Sequence, residues 1–413
     1  MADNLITMKS GTLENETLQV QNLFKEKFGY TSTHTVRAPG RLELLGNHTD
    51  YNQGLVMSLA VDKYIFIASS PRSDGYIELA SSAFPEKEKF SISDLKKNPA
   101  SPWADYVKGV LEQLRKHGAN FNGFSATIHG TVPMGAGMSS SAALEVATAL
   151  TVRQLFPFTV TDTGSTVPPK LDSKGHLRDL HLDEKLNLAK LCQRAENQFV
   201  GVQSGILDQI SSLFGKQFHA LEIDCQQLSV DHVPMIGDIA ILICNSGVKH
   251  SLVGGEYNEL RQMCESAAKK IGVKALRAVD SKMLADNKSK LSEREYQCAY
   301  HIVGEIQRVI FGAKALREDD FAQFGQYMFQ SHESSRDYFG NSTKELDLLV
   351  ELAREHPAAL GARLTGGGFG GATINLIKRD AIGDFSKHMS AEYKKKSGHD
   401  MTPLLCQIVD GAS

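Results

Sequence analysis

Five glycines within six positions constrain the fold of this chain more than any other part of its sequence. They lie in Leu364-Thr365-Gly366-Gly367-Gly368-Phe369-Gly370-Gly371-Ala372, between residues that favour strands. Because ordering so many glycines costs conformational entropy, we expect this loop to have a purpose. It can press its backbone against a ligand or against another glycine-rich loop. A cluster of β-turns that binds nothing is the alternative.

A second glycine-rich stretch, Val132–Ala142, follows a predicted strand and opens a predicted helix. Gly135 and Gly137 allow the backbone to approach a polyphosphate, and the free N–H groups of a helix start favour anions. The serine hydroxyls at 139–141 can add donors or reach Mg²⁺. No G-K-[ST] follows, so this is not a Walker loop. By itself the stretch is equally compatible with a plain structural turn.

A third segment, Pro39–Asn52, concentrates polar groups within apolar, strand-like sequence. It contains one Arg, one His, two carboxylates and two Asn side chains beside Gly and Pro. Charged and hydrogen-bonding groups at this density indicate a loop that grips a polar ligand.

Composition sets the broad class of the protein. With 413 residues, two domains are expected. Hydrophobic residues make up 41% and charged residues 23% of the chain, which is typical of a soluble globular protein. The formal net charge of -3 argues against nucleic acid or an anionic membrane as a partner. The basic run at 394–396 is interpreted as a solvated helix end.

Six scattered cysteines show no metal or disulfide pattern: Cys192, Cys225, Cys244, Cys264, Cys298 and Cys406. The N-terminus lacks the apolar region of a signal peptide, and no apolar run approaches the roughly 20 residues of a membrane span. We therefore expect a protein of the reducing cytoplasm, monomeric unless it forms an oligomer that the sequence does not reveal.

Hydrophobic periodicity predicts a mixed α+β fold without repeats. Helices are predicted at 14–28, 103–117, from 139–141 onward, 183–197, 257–271, 293–309, 344–354 and 381–394. Strands are predicted at 35–45, 64–69, 124–131, 239–244, 372–377 and 405–409. Residues 157–175 read as a surface loop or insertion, and a domain boundary is placed near residue 215.

Together, the three segments resemble the GHMP kinase superfamily and, within it, galactokinase, from about Arg37 to Leu376. Trp103–Val110, Gly205–Gln209 and Ser331-His332 also resemble galactokinase. The resemblance implies a two-domain fold with the active site in the cleft. Residues 1–215 would form a domain like domain 2 of ribosomal protein S5, and 216–413 a ferredoxin-like α+β domain carrying the glycine-rich loop 365–371.

The resemblance also implies an ATP-dependent sugar 1-kinase of galactose metabolism that uses Mg²⁺. Asp208 would be the catalytic base or would orient the hydroxyl, with Arg41 beside it; a helix-capping Asp is the alternative. Ser141 and Glu196 would bind Mg²⁺, although a solvated Glu196 is also possible. The implied nucleotide-binding residues are Trp103, Tyr106, Gly135, Gly137, Ser139, Ser140, Ser141, Gly367 and Gly368. A core role for Trp103 is the competing interpretation.

The implied sugar-binding residues are Arg41, Glu43, Asn47, His48, Asp50, Gly205, Asp208 and Tyr257. The galactokinase signature reads roughly P-G-R-V-N-L-I-G-E-H-T-D-Y-N, so Glu43 and Asn47 stand where the family has Asn and Glu. Strand alternation places Glu43 beside Arg41. The 198–204 region also departs from the family pattern.

Two readings of the exchange follow. In the first, the two substitutions compensate each other and galactose binding is preserved. In the second, the pocket accepts a uronic acid, N-acetylgalactosamine or another hexose modified at C6 or C2. A sugar and ATP sensor without activity is a further alternative, disfavoured because the Ser-Ser-Ala-Ala run at 140–143, Asp208 and Arg41 are all intact.

Overall fold

The computed structural model describes residues 2–133, 137–161, 165–172, 177–249 and 253–413. The strands are β1 (His34–Leu45), β2 (Leu55–Pro71), β3 (Tyr76–Ser81), β4 (Glu88–Ser91), β5 (Phe124–Gly130), β6 (Thr159–Val160), β7 (Thr166–Val167), β8 (His219–Asp224), β9 (Ser229–Pro234), β10 (Ile239–Lys249), β11 (Ala359–Thr365), β12 (Gly370–Lys378) and β13 (Leu404–Cys406). The helices are α1 (Ala2–Phe28), α2 (Ala104–Lys116), α3 (Ser140–Leu155), α4 (Leu182–Arg194), α5 (Leu207–Phe214), α6 (Val253–Ile271), α7 (Ser281–Asp286), α8 (Glu293–Arg317), α9 (Phe321–Ser334), α10 (Lys344–Glu355) and α11 (Ile382–Ser397).

The first sheet is built around β2. Its strands follow the order β4-β3-β5-β2-β8-β9, and β1 also pairs with β2 in antiparallel register. Successive side chains of β2 alternate between two cores, as the period of a strand requires. Tyr64, Phe66 and Ala68 pack with α1, whereas Ile65 and Ile67 enter the main core. Both faces of β2 are therefore buried.

The second sheet is antiparallel, with the order β11-β12-β10-β13. On β10, Leu242 and Cys244 face a small core shared with α10 and α11. Ile241 and Ile243 face the main core, which also contains residues of the first sheet. Because α8 contacts β1, β2 and β9 as well as α6 and α9, it joins the two halves of the chain.

The α+β class is confirmed, and each predicted helix and strand corresponds to an element of the structure. Patterning missed seven strands and three helices, which are β3, β4, β6, β7, β8, β9, β11, α5, α7 and α9. These are mostly short or lack a clear period. The helix predicted at 183–197 continues past α4 as a π-helical turn at Ala195–Val200.

The 157–175 region contains the two-residue strands β6 and β7, and the rest of it that lies inside the described residues is irregular. The domain boundary near residue 215 stays a prediction, but β8 and β9 lie beyond it and extend the first sheet. Among the described residues, no helix is long and apolar enough to span a membrane.

Candidate active site

A pocket of about 340 Å³ is lined by residues from both halves of the chain. All eight predicted sugar-binding residues line it: Arg41, Glu43, Asn47, His48, Asp50, Gly205, Asp208 and Tyr257. Glu196, from the π-helical turn Ala195–Val200, and Gly366 and Gly367, from the turn between β11 and β12, also line it. The first sheet contributes β1, and the second contributes the turn between β11 and β12. Residues far apart in sequence therefore meet in one cavity.

Asp208 lies in the first turn of α5 and is held from two sides. Arg41 donates from Nε to Oδ1 at 2.7 Å, and Ser139 donates from Oγ to Oδ2 at 2.5 Å. Arg41 also donates from Nη1 to the carbonyl of Gly137 at 2.6 Å. Burial opposes the charged guanidinium, but the nearby carboxylates, Asp208 first among them, together outweigh it, so the pKa of Arg41 is raised. The arrangement keeps a carboxylate, a cation and a phosphate-loop candidate in contact.

Asp50 stands beside Asp208 and packs on Gly205. A Cβ atom at Gly205 would lie 1.7 Å from Asp50 Oδ2, so no other residue fits there without displacing the carboxylate. Burial, with a smaller contribution from the negative charge of Asp208, raises the pKa of Asp50 to about 7. Asp50 accepts a hydrogen bond from its neighbour's backbone, Tyr51 N, at 2.9 Å. The carboxyl group is therefore poised to change its charge near neutral pH.

His48 connects Pro39–Asn52, which we call the sugar segment, to the glycine-rich loop at 365–371. Its Nε2 lies 3.0 Å from the Gly367 carbonyl and its Nδ1 lies 2.7 Å from the Tyr51 hydroxyl. Burial lowers the pKa of His48 to about 4, so the ring is neutral at pH 7, with Nε2–H donating and Nδ1 accepting. The ring of Tyr257 lies 4.9 Å from the His48 ring. These contacts fix the loop against the pocket.

The exchanged residues Glu43 and Asn47 contact each other. Asn47 Nδ2 donates to Glu43 Oε1 at 2.9 Å, because the turn after β1 returns Asn47 to the strand. Glu43 lies on the same side of β1 as Arg41, as strand alternation predicts. The ion pair of Glu43, however, is with Arg363, whose Nη1 lies 3.0 Å from Glu43 Oε1. Arg363 is fully buried on β11. Burial raises the pKa of Glu43 even though Arg363 acts in the opposite direction.

A buried glutamate on α8 anchors the same turn. Glu305 Oε2 accepts from the backbone N–H groups of Gly46 and Asn47, at 2.9 and 2.8 Å, and its Oε1 accepts from Arg308 Nε at 2.5 Å. Ser331 Oγ adds a fourth donor at 3.0 Å. Burial alone would raise the pKa of Glu305, but Arg308 and the other neighbours lower it to about 2. The carboxylate is therefore a charged anchor for the sugar segment.

Glu196 lies near Ser141 and has several hydrogen-bond donors. Ser141 Oγ donates to its Oε1 at 3.3 Å, and Ser204 Oγ and Gln209 Nε2 donate to its Oε2 at 2.5 and 3.1 Å. Burial raises the pKa of Glu196, and the neighbouring buried Glu145 has an Oε1 atom without a hydrogen-bond partner. Neither carboxylate has an ion pair within the described part of the chain. A hydroxyl and buried carboxylates that lack a cation suit Mg²⁺.

The two glycine-rich loops touch. A Cβ atom at Gly137 would lie 2.8 Å from the Thr365 carbonyl, and φ there is +66°. Ser139 also has positive φ, and Ser140 is the first residue of α3. Gly135 lies outside the described residues. The structure thus brings the predicted phosphate loop against the loop that lines the pocket.

The other predicted nucleotide-binding residues divide into two groups. Gly367 lines the pocket beside Tyr257, whereas Gly368, at φ +82°, packs against the backbone of Asn341. Trp103 and Tyr106 do not line the pocket: Trp103 stacks on Phe84 with ring centroids 5.5 Å apart and packs on the core. Their role in binding a nucleotide stays a prediction.

Sequence reasoning missed three residues that hold the site together, namely Arg363, Glu305 and Asn341. Arg363 left one signal, a charge within the apolar run of β11 just before the glycines. Glu305 lies among polar and apolar residues of a long helix without any distinguishing pattern. Asn341, whose Nδ2 donates to Asn47 Oδ1 at 2.9 Å, follows a π-helical turn and gave no signal.

Comparison with known proteins gives consistent matches along the chain. Residues 22–71 match the galactokinase galactose-binding signature, 105–216 the GHMP kinases N terminal domain, and 313–395 the GHMP kinases C terminal family. The chain is 39% identical to galactokinase of Homo sapiens, with 95% of each chain covered. It is 36% identical to galactokinase of Roseiflexus sp. (strain RS-1), with 96% of each covered.

Solved structures agree with these sequence matches. The galactokinase of Lactococcus lactis complexed with galactose superposes with a TM-score of 0.86 at 30% identity, covering 97% of this chain and 99% of that one. A mevalonate kinase superposes with a TM-score of 0.58 at 19% identity, covering 92% and 100%. The second likeness shows the fold alone.

Proposed function

Because the chain belongs to the galactokinase family of the GHMP kinases, we propose that it transfers the γ-phosphoryl group of ATP to the C1 hydroxyl of galactose or a closely related hexose. The observation that carries this proposal is the contact of Asp208 with Arg41 and Ser139, inside a pocket that is also lined by the sugar segment and the glycine-rich loop.

In the proposed reaction, the C1 oxygen forms a bond to the γ-phosphorus while the bond to the bridging oxygen of ADP breaks. Asp208 accepts the hydrogen bond of the C1 hydroxyl and either takes its proton or only orients it. Each oxygen of Asp208 already accepts one hydrogen bond from the protein, and a carboxylate has lone pairs for further ones. Arg41 stabilises the negative charge on the reacting side of the pocket.

ATP and Mg²⁺ complete the proposed reaction. Ser141 and Glu196 would hold Mg²⁺, whose chemistry is to neutralise charge on the phosphates. The loop that contains Gly137 and the start of α3 would receive the phosphates, because its N–H groups and helix N-terminus favour anions. Tyr106, whose pKa is raised to about 12 by burial and the nearby Glu196, stays neutral beside this region.

The test is a coupled ADP-release assay with ATP, Mg²⁺ and a panel that contains galactose, N-acetylgalactosamine, galacturonate and other hexoses. We expect turnover with galactose or a close relative, and the product should resist reducing-sugar reagents because C1 is blocked. Asp208→Asn should still bind the sugar but lose kcat by about 10²- to 10⁴-fold. No ADP release with any sugar would overturn the kinase function and leave the sensor alternative.

The same proposal places the reaction in the cytoplasm, with sugar and ATP as partners and no nucleic acid. The free thiols support a reducing compartment: all six cysteines are unpaired, and five of them are buried.

A further inference from the structure

The side chain of Asn47 is fully used by the protein. Its Nδ2 donates to Glu43 Oε1 at 2.9 Å and to the Gly366 carbonyl at 2.8 Å. Its Oδ1 accepts from Asn341 Nδ2 at 2.9 Å. Asn47 is 0% exposed. Although it belongs to the pocket wall, it has no hydrogen-bonding group left for a ligand.

Only one of the two carboxylate oxygens of Glu43 accepts hydrogen bonds from the described part of the protein. Its Oε1 accepts from Asn47 and from Arg363 Nη1, which lies at 3.0 Å. Its Oε2 has no hydrogen-bond partner within the described part of the chain, and the residue lines the pocket. Because Oε2 is not fully enclosed by protein atoms and Glu43 lines the pocket, a ligand hydroxyl can reach this oxygen and donate a hydrogen bond to it.

Resting on the proposed sugar-kinase function, we propose that Glu43 binds a sugar hydroxyl and decides which sugars are accepted, whereas Asn47 is a positioning residue that holds Glu43 against Gly366. The carboxylate and the amide of the exchanged pair thus have different tasks. The carboxylate of Glu43 recognises the sugar, and the amide of Asn47 holds that carboxylate in position.

Charge in the pocket indicates which sugars fit. Glu43, Asp50, Glu196 and Asp208 line it, and the cation that faces them, Arg41, is already paired with Asp208. Arg363 is fully buried behind Glu43 and is not a lining residue. A sugar carboxylate would find several acidic groups and no unpaired cation among the described lining residues, so this site selects neutral sugars over uronic acids.

The exchange is also not freely reversible in this chain. A glutamate at position 47 would have two acceptor oxygens and no donor for the Gly366 carbonyl, which now receives Asn47 Nδ2. The amide at 47 therefore ties the sugar segment to the glycine-rich loop as well as to Glu43.

The experiment measures kcat/KM for galactose, galacturonate and the 2-, 3-, 4- and 6-deoxygalactoses with wild type and Glu43→Gln. In wild type, kcat/KM for one of the deoxy sugars should be about tenfold to a hundredfold lower than for galactose, as expected for loss of a hydrogen bond to a charged group. The same deoxygenation should cost much less in Glu43→Gln. Equal losses in both enzymes for every deoxy sugar, or efficient use of galacturonate by wild type, would overturn the proposal.

Asn47→Asp tests the positioning role, since it keeps the shape and Oδ1 but removes both donors. It should reduce the discrimination between galactose and the sensitive deoxy sugar, which a merely structural defect would not do. The matched control is Asn375→Asp, another fully buried asparagine, which bonds the Leu242 carbonyl within the second sheet. It should lower stability and leave sugar discrimination unchanged. Unchanged discrimination in Asn47→Asp would reject the positioning role.

Failure of the proposed function would be recognised separately. If wild type turns over no sugar, the same comparisons are made with dissociation constants from calorimetry, which need no catalysis. Coupling between Glu43 and one hydroxyl would then support the binding role alone. If Glu43→Gln does not fold, Asn47→Asp and the wild-type sugar series still decide the proposal.

Discussion

Asp50 is a partly buried carboxyl group that faces Asp208, Glu43 and Arg41, and this setting makes it sensitive to pH. Burial and the like charge of Asp208 both favour its neutral form, which explains the raised pKa. A neutral carboxyl group and a carboxylate offer a sugar different hydrogen bonds, because only the carboxylate accepts at both oxygens.

We predict that kcat/KM for the sugar rises with pH through about 7, the pKa of Asp50. Below this pH the unliganded enzyme carries a protonated Asp50, and kcat/KM should fall by up to about tenfold per pH unit. His48 does not contribute, since its pKa of about 4 leaves it neutral throughout. The measurement is a pH profile from 5.5 to 8.5. A flat profile would contradict the role given to Asp50.

The turn before α5 shows how the local packing of an element can require one residue type at one position. Gly205 lies where a Cβ atom would overlap Asp50 Oδ2, so the backbone of this turn and the carboxylate share one space. The glycine is required by the contact and not by backbone conformation, because its φ is not positive.

Gly205→Ala should therefore raise the KM for the sugar or abolish its binding, since Asp50 must move. Gly383→Ala is a matched control: Gly383 is an exposed residue of α11 with open space around its Cβ position. That change should leave activity intact and stabilise the protein by about 0.4–1 kcal/mol. Kinetics and thermal melting measure both effects. Normal sugar KM in Gly205→Ala would show that the turn relaxes.

Helix α8 anchors the sugar segment through Glu305, and replacing this residue tests that anchor. Gln has one acceptor oxygen, so either the amides of Gly46 and Asn47 or the guanidinium of Arg308 would face its NH₂ group. We expect Glu305→Gln to lose about 3–5 kcal/mol of unfolding free energy at pH 7. Glu318→Gln, at an exposed site just after α8, should change it by less than about 0.5 kcal/mol.

The pH dependence of this loss has a definite sign. The pKa of Glu305 in the folded protein is lowered to about 2 from its ordinary value of 4.5, so its charge stabilises the fold above pH 4.5. This contribution is lost as pH falls toward 2. Urea unfolding at pH 7 and pH 4 should show the difference between wild type and Glu305→Gln shrinking in acid. If the difference in unfolding free energy between wild type and Glu305→Gln did not change with pH, the charge of Glu305 would not be the cause of the lost stability.

At the scale of the whole molecule, the pocket wall comes from both sheets and the main core is continuous between them. A ligand in this pocket should therefore stabilise the entire chain. A sugar at a concentration of 100 times its dissociation constant adds about 2.7 kcal/mol to the free energy of unfolding. For a chain of 413 residues this raises Tm by about 3 °C. Differential scanning calorimetry should show one transition that shifts as a unit. Two transitions, of which only one shifts, would contradict a shared core.

Much of the fold could be read from the sequence because the long elements carry strong periodic signals. β1, α3 and α8 are examples, each with a sustained apolar pattern. β3 and β8 could not be read in this way, since they are short strands that pair with the distant strands β5 and β2. The short strand β9 joins the sheet only through its hairpin with β8. Their place is decided by tertiary pairing and not by local preference.

The residues that take part in the chemistry could largely be identified before the fold was known. Arg41 and Asp50, in the polar segment Pro39–Asn52, and the two glycine-rich loops indicate ligand binding through residue type and spacing, whereas the role of Asp208 follows from the resemblance to galactokinase. All of these that lie within the described residues meet around one pocket. Backbone freedom at glycine and charge on a short polar segment are local properties, so they are visible before folding.

The separate roles of Glu43 and Asn47 became visible only in the folded chain. Their roles depend on Arg363, Asn341 and the Gly366 carbonyl, which are more than 290 positions away along the chain. Whether a buried polar atom is free for a ligand depends on which partners fold against it, and those partners are set by packing. The exchange looked symmetric in sequence, and the three-dimensional contacts make it asymmetric.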